Sequence, residues 1–290
     1  MEKRKRGDRR DGRRIRDLDG LHCIMMHLMP KRTEAEVYLE HSIDVTELMD
    51  FVARKNSEAP YKTTVFHCVV AGIGRVVQAR PYLNRFICGR KLYARDDITI
   101  SFVAKRKFQD HAEESLMTVK VHDQTNLTSI SRKITGDVDE LRTQKGSNDF
   151  DAVINRIGHL PGPILHLFIG LLQRLSAAGR LPAVLTEGDT NHTTVLLSNL
   201  GSIQCDCCYH HLNNYGTNSI LITVGVIREE PRIQADGSLS VRKIMKLGFT
   251  ADERIADGFY FAKSLKLLEY LLTHPQLLEV PMGEEIAYDL

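Results

Sequence analysis

Residues 219–227, Ser219-Ile220-Leu221-Ile222-Thr223-Val224-Gly225-Val226-Ile227, are apolar almost throughout. A run so short, with β-branched residues at six of its nine positions, suits a strand covered on both faces in the middle of a sheet. Working outward, residues 193–199 read as a second strand. Residues 240–250 read as a third, alternating through Val241, Met245, Leu247 and Phe249. Upstream, Ala35, Val37, Leu39, His41 and Ile43 point one way and Glu36, Tyr38, Glu40 and Ser42 the other, the period of a half-buried strand. Ile98, Ile100, Phe102 and Ala104, and then Met117, Val119 and Val121, repeat that alternation. Helical spacing runs through residues 63–79, through Leu127, Ile130, Ile134, Val138 and Leu141, and through Phe261, Leu265, Leu268 and Leu272. Pro81 and Pro275 mark where two of these helices must have ended. Strands and helices mix without strict βαβ alternation, so the fold class is α/β or α+β with a mixed sheet.

No internal repeat or low-complexity linker divides the 290 residues. The expected organisation is a basic, solvated arm over residues 1–20 and a single domain over 21–290. The arm is where the charge hides: residues 1–16 hold nine basic residues against three acids. The remainder has 30 basic and 34 acidic residues, a body at −4 under a net charge of +2. A mildly acidic body argues against a specific nucleic-acid binder.

The longest stretch without a full charge, residues 157–173, is short of a membrane span and contains Pro161 and Pro163. Within it begins an almost wholly apolar helix, residues 163–178, which suits a core helix, an oligomer contact or a membrane-surface element. No apolar segment follows the basic N-terminus as a secretory signal requires. Six unevenly spaced cysteines do not make a disulfide framework. These features point to a cytoplasmic protein with reduced thiols and no membrane association.

Several chemistries lose their support. There is no GxxxxGK[ST] phosphate loop, no GxGxxG after a strand, no HExxH and no GxSxG. Cys205, Cys207, Cys208, His210 and His211 crowd into seven residues, and soft thiolates beside imidazoles can hold zinc or copper. The spacing is unlike the usual Cys-x-x-Cys pairs, and no second ligand pair stands out. A loop whose thiols merely pack is the leading reading, and no metal is expected.

Three segments carry a family resemblance. The first is Phe66-His67-Cys68-Val69-Val70-Ala71, running into Arg80-Pro81-Tyr82-Leu83-Asn84. The second is Leu197-Ser198-Asn199-Leu200-Gly201, followed by Ile220-Leu221-Ile222-Thr223-Val224-Gly225. The third is Asp252-Glu253-Arg254-Ile255-Ala256-Asp257-Gly258, leading into the final amphipathic helix. In that order the chain resembles the catalytic domain of the dihydrolipoamide acyltransferases of 2-oxo-acid dehydrogenase complexes, relatives of chloramphenicol acetyltransferase. The resemblance implies a two-layer sandwich, with a mixed sheet and helices on one face, assembled as a homotrimer. It also implies an active site between subunits, with coenzyme A or acyl-coenzyme A as substrate.

Carried over by motif, the catalytic residues are Ser198, Glu253 and Asp257. Asn199, Gly201, His210 and His211 are the substrate-binding candidates. Ser198 would donate to the oxyanion of the tetrahedral intermediate, or else simply satisfy a strand end. Asp257 would organise the site by pairing with an arginine from the first helix, a position that His22 occupies here with Arg16 upstream, or else cap the last helix.

One departure bears on mechanism. The family's general base is a histidine in the pattern His-x-x-x-Asp-Gly, and Glu253 stands at that position. A thiol of pKa ~8.5 facing a histidine at ~6.5 has a gap of about two units, and facing a glutamate at ~4.3 a gap of over four. The difference is roughly a hundredfold in rate at equal geometry. Burial can raise a glutamate and recover much of it, and His210 or His211 could supply the base instead.

The lipoyl and partner-binding domains that precede the catalytic domain in full-length relatives are not expected in a chain with only the arm at that end. An acyl acceptor, lipoyl-bearing or other, would then come in trans. A catalytically silent paralogue, serving as an oligomeric scaffold or ligand-binding protein, is the alternative to the enzyme.

Overall fold

The structure is a computed structural model, and it describes residues 3–58, 61–105, 114–143, 157–182, 186, 189–234 and 236–288. In chain order the elements are β1 (Gly12–Arg14), α1 (Gly20–Leu28), β2 (Glu36–Asp44), α2 (Thr46–Glu58) and α3 (Val65–Ala79). There follow β3 (Arg85–Cys88), β4 (Lys91–Arg95), β5 (Ile98–Lys105), β6 (Glu114–Val121), α4 (Leu127–Thr143) and α5 (Gly162–Ala177). The last third holds β7 (Val195–Asn199), β8 (Ile220–Val224), β9 (Arg228–Ile233), β10 (Leu239–Asp252) and α6 (Gly258–Thr273).

The main sheet has the order β2-β10-β8-β7-β5-β6, with β9 paired to the outer part of β10. β7 runs parallel to both β5 and β8, and the other pairs are antiparallel. The sheet is mixed, and β8 lies inside it with all five residues buried, as its unbroken apolar run predicts.

One face of the sheet carries the core. Ile100, Phe102, Val195, Leu197, Ile222, Leu247, Phe249 and Ala251 pack with the apolar stripes of α3 and α6. Thr64 caps α3 by accepting from the His67 amide at 3.2 Å. Gly72 lets α3 and α6 approach, because a Cβ there would lie 2.9 Å from Leu268 Cδ1. The opposite face presents Ser198, Thr223, Gly248, Thr250 and Asp252, whose registered neighbours alternate with the core residues. This is the two-layer sandwich that the resemblance implies.

Two segments differ from expectation. The basic N-terminal segment, expected as a solvated arm, is folded onto a small sheet of order β1-β4-β3. Arg9 is only 5% exposed: its guanidinium lies over the rings of Phe86 and Tyr93 at 5.4 and 5.7 Å, pairs with Asp11 and donates to the Ser176 carbonyl. Cation–π stacking and charge-assisted bonds replace the lost hydration. Helix α5 is not a core helix: its buried residues are Leu172 and Ser176, whereas Ile164, Leu167, Ile169 and Leu171 are exposed. Among the described residues no helix is long and apolar enough to cross a membrane.

Candidate active site

The stretch from Asp252 to Gly258 closes β10 and opens α6. Its anchor is Asp252, 0% exposed. Arg254 grips it with Nε donating to Oδ1 at 2.8 Å and Nη2 to Oδ2 at 2.6 Å. Arg254 also donates to the Met29 carbonyl at 2.6 Å, tying the turn to the end of α1. A second guanidinium, that of Arg32, stands 3.8 Å from Asp252 Oδ2 and donates to the carbonyls of Ile87, Asn213 and Gly216. Burial pulls Arg32 below the usual arginine range, the nearby Asp252 charge opposes that pull, and Arg254 adds to it. Two cations sharing one buried carboxylate hold the turn rigidly, because loss of that carboxylate would strand both.

Glu253 sits on this anchor, half-buried. Its backbone amide donates to the Ala35 carbonyl at 2.9 Å, and its carboxylate has no hydrogen-bond or ion-pair partner among the described residues. Asp257 is exposed and caps α6, with Oδ1 accepting from the Tyr260 amide at 2.7 Å. Among the described residues Asp257 has no arginine partner: Arg16 pairs with Asp8, and His22 with Asp19 at the start of α1. The buried carboxylate–arginine pair of this motif is made by Asp252, which has no such role in the sequence reading. The Arg80–Asn84 segment meets the same turn. Tyr82 stacks on Tyr260 at 4.9 Å, Arg80 lies over Tyr260, and Arg85 over Tyr82.

Ser198 lies at the other end of the sheet. Its register partner on β8 is Thr223, whose partner on β10 is Gly248. Glu253 is five residues further along the chain from Gly248, so the two side chains are separated by ~17 Å along the strands and ~10 Å across them. One chain therefore does not bring Ser198 and Glu253 together. The Ser198 hydroxyl also has no hydrogen-bond partner among the described residues. Asn199 follows in the strand and begins a short turn, Leu200–Ile203, in which a Cβ on Gly201 would lie 2.7 Å from the Gly225 carbonyl oxygen.

From that turn residues 205–212 run back diagonally across the open face of the sheet. Thr223 Oγ1 bonds both the amide and the carbonyl of Cys208, and Gly248 leaves room for that carbonyl. Further along, Tyr209 lies 5.5 Å from Tyr38, and the Leu212 amide donates to Glu36 Oε1. Glu36 is paired in register with Asp252, so His210 and His211 sit at the Glu253 end of the sheet, not at the Ser198 end. Both are exposed; their rings stack at 4.7 Å, and His210 Nδ1 approaches the His211 carbonyl at 2.8 Å. All six cysteines are free, and no group of three or more metal-ligating side chains is clustered among the described residues.

The fold is shared with known acyltransferases. A probable dihydrolipoamide acetyltransferase from Listeria monocytogenes superposes with a TM-score of 0.58 at 17% identity, over 94% of this chain and 98% of that one. A truncated catalytic core of the 2-oxoacid dehydrogenase multienzyme complex from Thermoplasma acidophilum gives 0.55 at 17% identity, over 90% and 98%. A chloramphenicol acetyltransferase gives 0.53 at 14% identity, over 90% and 99%. In sequence, residues 172–280 match the family model described as 2-oxoacid dehydrogenases acyltransferase (catalytic domain). The chain thus resembles that family's catalytic domain in fold over most of its length, and in sequence over the part that holds Ser198 and Glu253. No curated protein matches the sequence.

Proposed function

We propose that this chain is a coenzyme A-dependent acyltransferase of the 2-oxo-acid dehydrogenase type, moving an acyl group between coenzyme A and a thiol, hydroxyl or amine acceptor. The observation that carries the reading is the placement of Ser198 and Glu253, whose side chains have no partners among the described residues, at opposite ends of the same sheet within a matched segment. Such halves suit a site completed between copies, as in a homotrimer, with Ser198 of one chain set against Glu253 of the next. The exposed apolar side of α5 suits burial in such an assembly.

Glu253 then acts as the base, or as a carboxylate that positions the acceptor. As the acceptor attacks the thioester carbonyl its proton passes to the Glu253 carboxylate, and the hydroxyl of Ser198 donates to the oxyanion that forms. Collapse of the tetrahedral intermediate expels the coenzyme A thiolate, which the protonated carboxyl can neutralise. Asp257 fixes the start of α6 beneath Glu253. Asn199 and Gly201 shape the Ser198 side. His210 and His211 flank the Glu253 side as substrate contacts. The acceptor, lipoyl-bearing or otherwise, is supplied in trans, and the free thiols suit a reducing cytoplasmic setting.

A second reading is favoured by Glu253 itself. A glutamate at the family's histidine position is what a silent paralogue, kept as a scaffold or ligand-binding protein, would carry. Release of free coenzyme A from acetyl-coenzyme A with dihydrolipoamide as acceptor separates the two, with wild type, Glu253→Gln and Glu253→His run side by side. Turnover in wild type, lost in Glu253→Gln, is the expected result. Silence in wild type with turnover in Glu253→His selects the scaffold.

A further inference from the structure

Helix α5 is covered by its own chain along one side only. Leu172 and Ser176 are buried, whereas Ile164, Leu167 and Leu171 are 53%, 73% and 51% exposed. Steps of three and four put these three aliphatic residues, and then the exposed Arg174, on one face of the helix. Residues 157–182 contain no acidic residue. A contiguous apolar stripe of this kind marks a contact surface, which singly scattered exposed residues do not.

The fold brings positive charge to one end of the stripe. The Arg9 guanidinium donates to the Ser176 carbonyl, a contact across 167 positions of the chain. Gly179 lies against the same side chain, since a Cβ there would be 3.1 Å from Arg9 Cγ. The folded segment 3–16, with nine basic residues against two acids, therefore sits at the Arg174 end of α5. Asp8 and Asp11 take up Arg16 and Arg9, and Asp96 takes up Arg4 and Arg13. Arg6, Arg10, Arg174 and Arg180 are exposed and make no ion pair among the described residues.

Two surfaces could cover such a stripe. The same face of a second copy would set cations against cations, because neither α5 nor the basic segment has an acid left to meet them. An anionic lipid surface answers both features at once, taking aliphatic side chains below its headgroups and arginines at their level. At 16 residues α5 is about 24 Å long, and it is not a membrane-spanning helix, so it suits a place in the plane of the interface.

We propose that α5 and the basic segment form a docking face for an anionic lipid bilayer. Ile164, Leu167 and Leu171 enter the acyl boundary, and Arg6, Arg10, Arg174 and Arg180 meet the headgroup phosphates. The sequence alone argues against membrane association because it keeps the arm and the apolar helix far apart, and the fold joins them. The inference does not rest on acyl transfer. It gives to lipid the side of α5 that a contact between copies would otherwise bury, and its test separates the two.

The chain has no tryptophan, so a single introduced indole reports its own surroundings. The full-length Leu167→Trp protein would be mixed at low salt with vesicles of phosphatidylcholine, alone or with phosphatidylserine, and followed by flotation and fluorescence. The anionic vesicles should float the protein and shift its emission to the blue. Binding should be at least ~10-fold weaker to phosphatidylcholine alone, and high salt should release the protein. Arg174→Glu combined with Arg180→Glu should weaken binding to anionic vesicles by ~10-fold or more. Phe259→Trp, at an exposed position on α6, should keep its emission unchanged, and an equal shift there would overturn the proposal. Failure of the wild-type protein to float with anionic vesicles also overturns it. So does a Leu167→Trp emission that is already blue without vesicles and unmoved by them, the mark of a stripe buried against a second copy.

Discussion

Asp252 and Asp257 belong to one seven-residue stretch and live in opposite surroundings. Asp252 is wholly buried between two guanidiniums, which tie the end of β10 to the end of α1 and to the carbonyls of Asn213 and Gly216. Asp257 is exposed and does one local job, capping α6. Glu253 lies between them, its amide fixed to Ala35 just before β2 and its carboxylate without a partner among the described residues. The contrast shows how a short motif divides labour: one carboxylate holds the platform, another starts a helix, and Glu253, without a side-chain partner among the described residues, is left for the role proposed for it.

The contrast breaks most visibly at Asp252. Asp252→Asn leaves two buried guanidiniums without their counter-ion and should cost about 3–5 kcal/mol of stability, read as the shift of a denaturant midpoint. Glu253→Gln, one residue along, should leave that midpoint in place and lower turnover by roughly a hundredfold or more, the size of loss that removal of a general base brings. If the two variants lose stability alike, the division of labour is wrong.

His67 sharpens the comparison from another side. Burial pushes its pKa down to about 4, so between pH 6.5 and 4 the unfolded chain binds a proton that the folded chain refuses. Stability should therefore fall on acidification through that window, by up to about 3 kcal/mol, and level off below it. His67→Gln should flatten the slope in a pH series of denaturant melts, whereas His210→Ala, at an exposed ring, should not. The smallest effect belongs to Asp257: Asp257→Ala should cost about 1 kcal/mol through the lost cap, and Asp257→Asn much less.

Much of the fold is legible in the sequence because the strands and helices that form the core follow their own periods. β2, β5, β8, α3 and α6 can each be read from where the apolar residues fall, and the resemblance adds the order of Ser198 and Glu253. What resists reading is the burial of charge. Arg9, Arg32, Arg95 and Arg254 are ordinary cations in a composition, and each is buried here by partners 2 to 225 positions away in the chain. The same blindness hides the Asp189–His192 pair. A histidine three residues from an aspartate is common, and only burial, with the His192 and Asp189 side chains 4% and 6% exposed, makes the pair stand out. Residues 163–178 resist reading for the converse reason: an apolar helix bears no mark of whether its cover comes from its own chain.

On the proposed function, a single chain carries two halves of different sites. This is tested most directly by mixing two inactive variants, Ser198→Ala and Glu253→Gln, after dissociation and reassembly together at equal amounts. Random assembly into a closed ring places an intact Ser198 against an intact Glu253 at one interface in four, so about a quarter of wild-type turnover should return. Each variant reassembled alone should stay inactive. No recovery in a mixture shown to have exchanged chains would mean that the two residues do not meet across an interface, and the proposed site would be wrong.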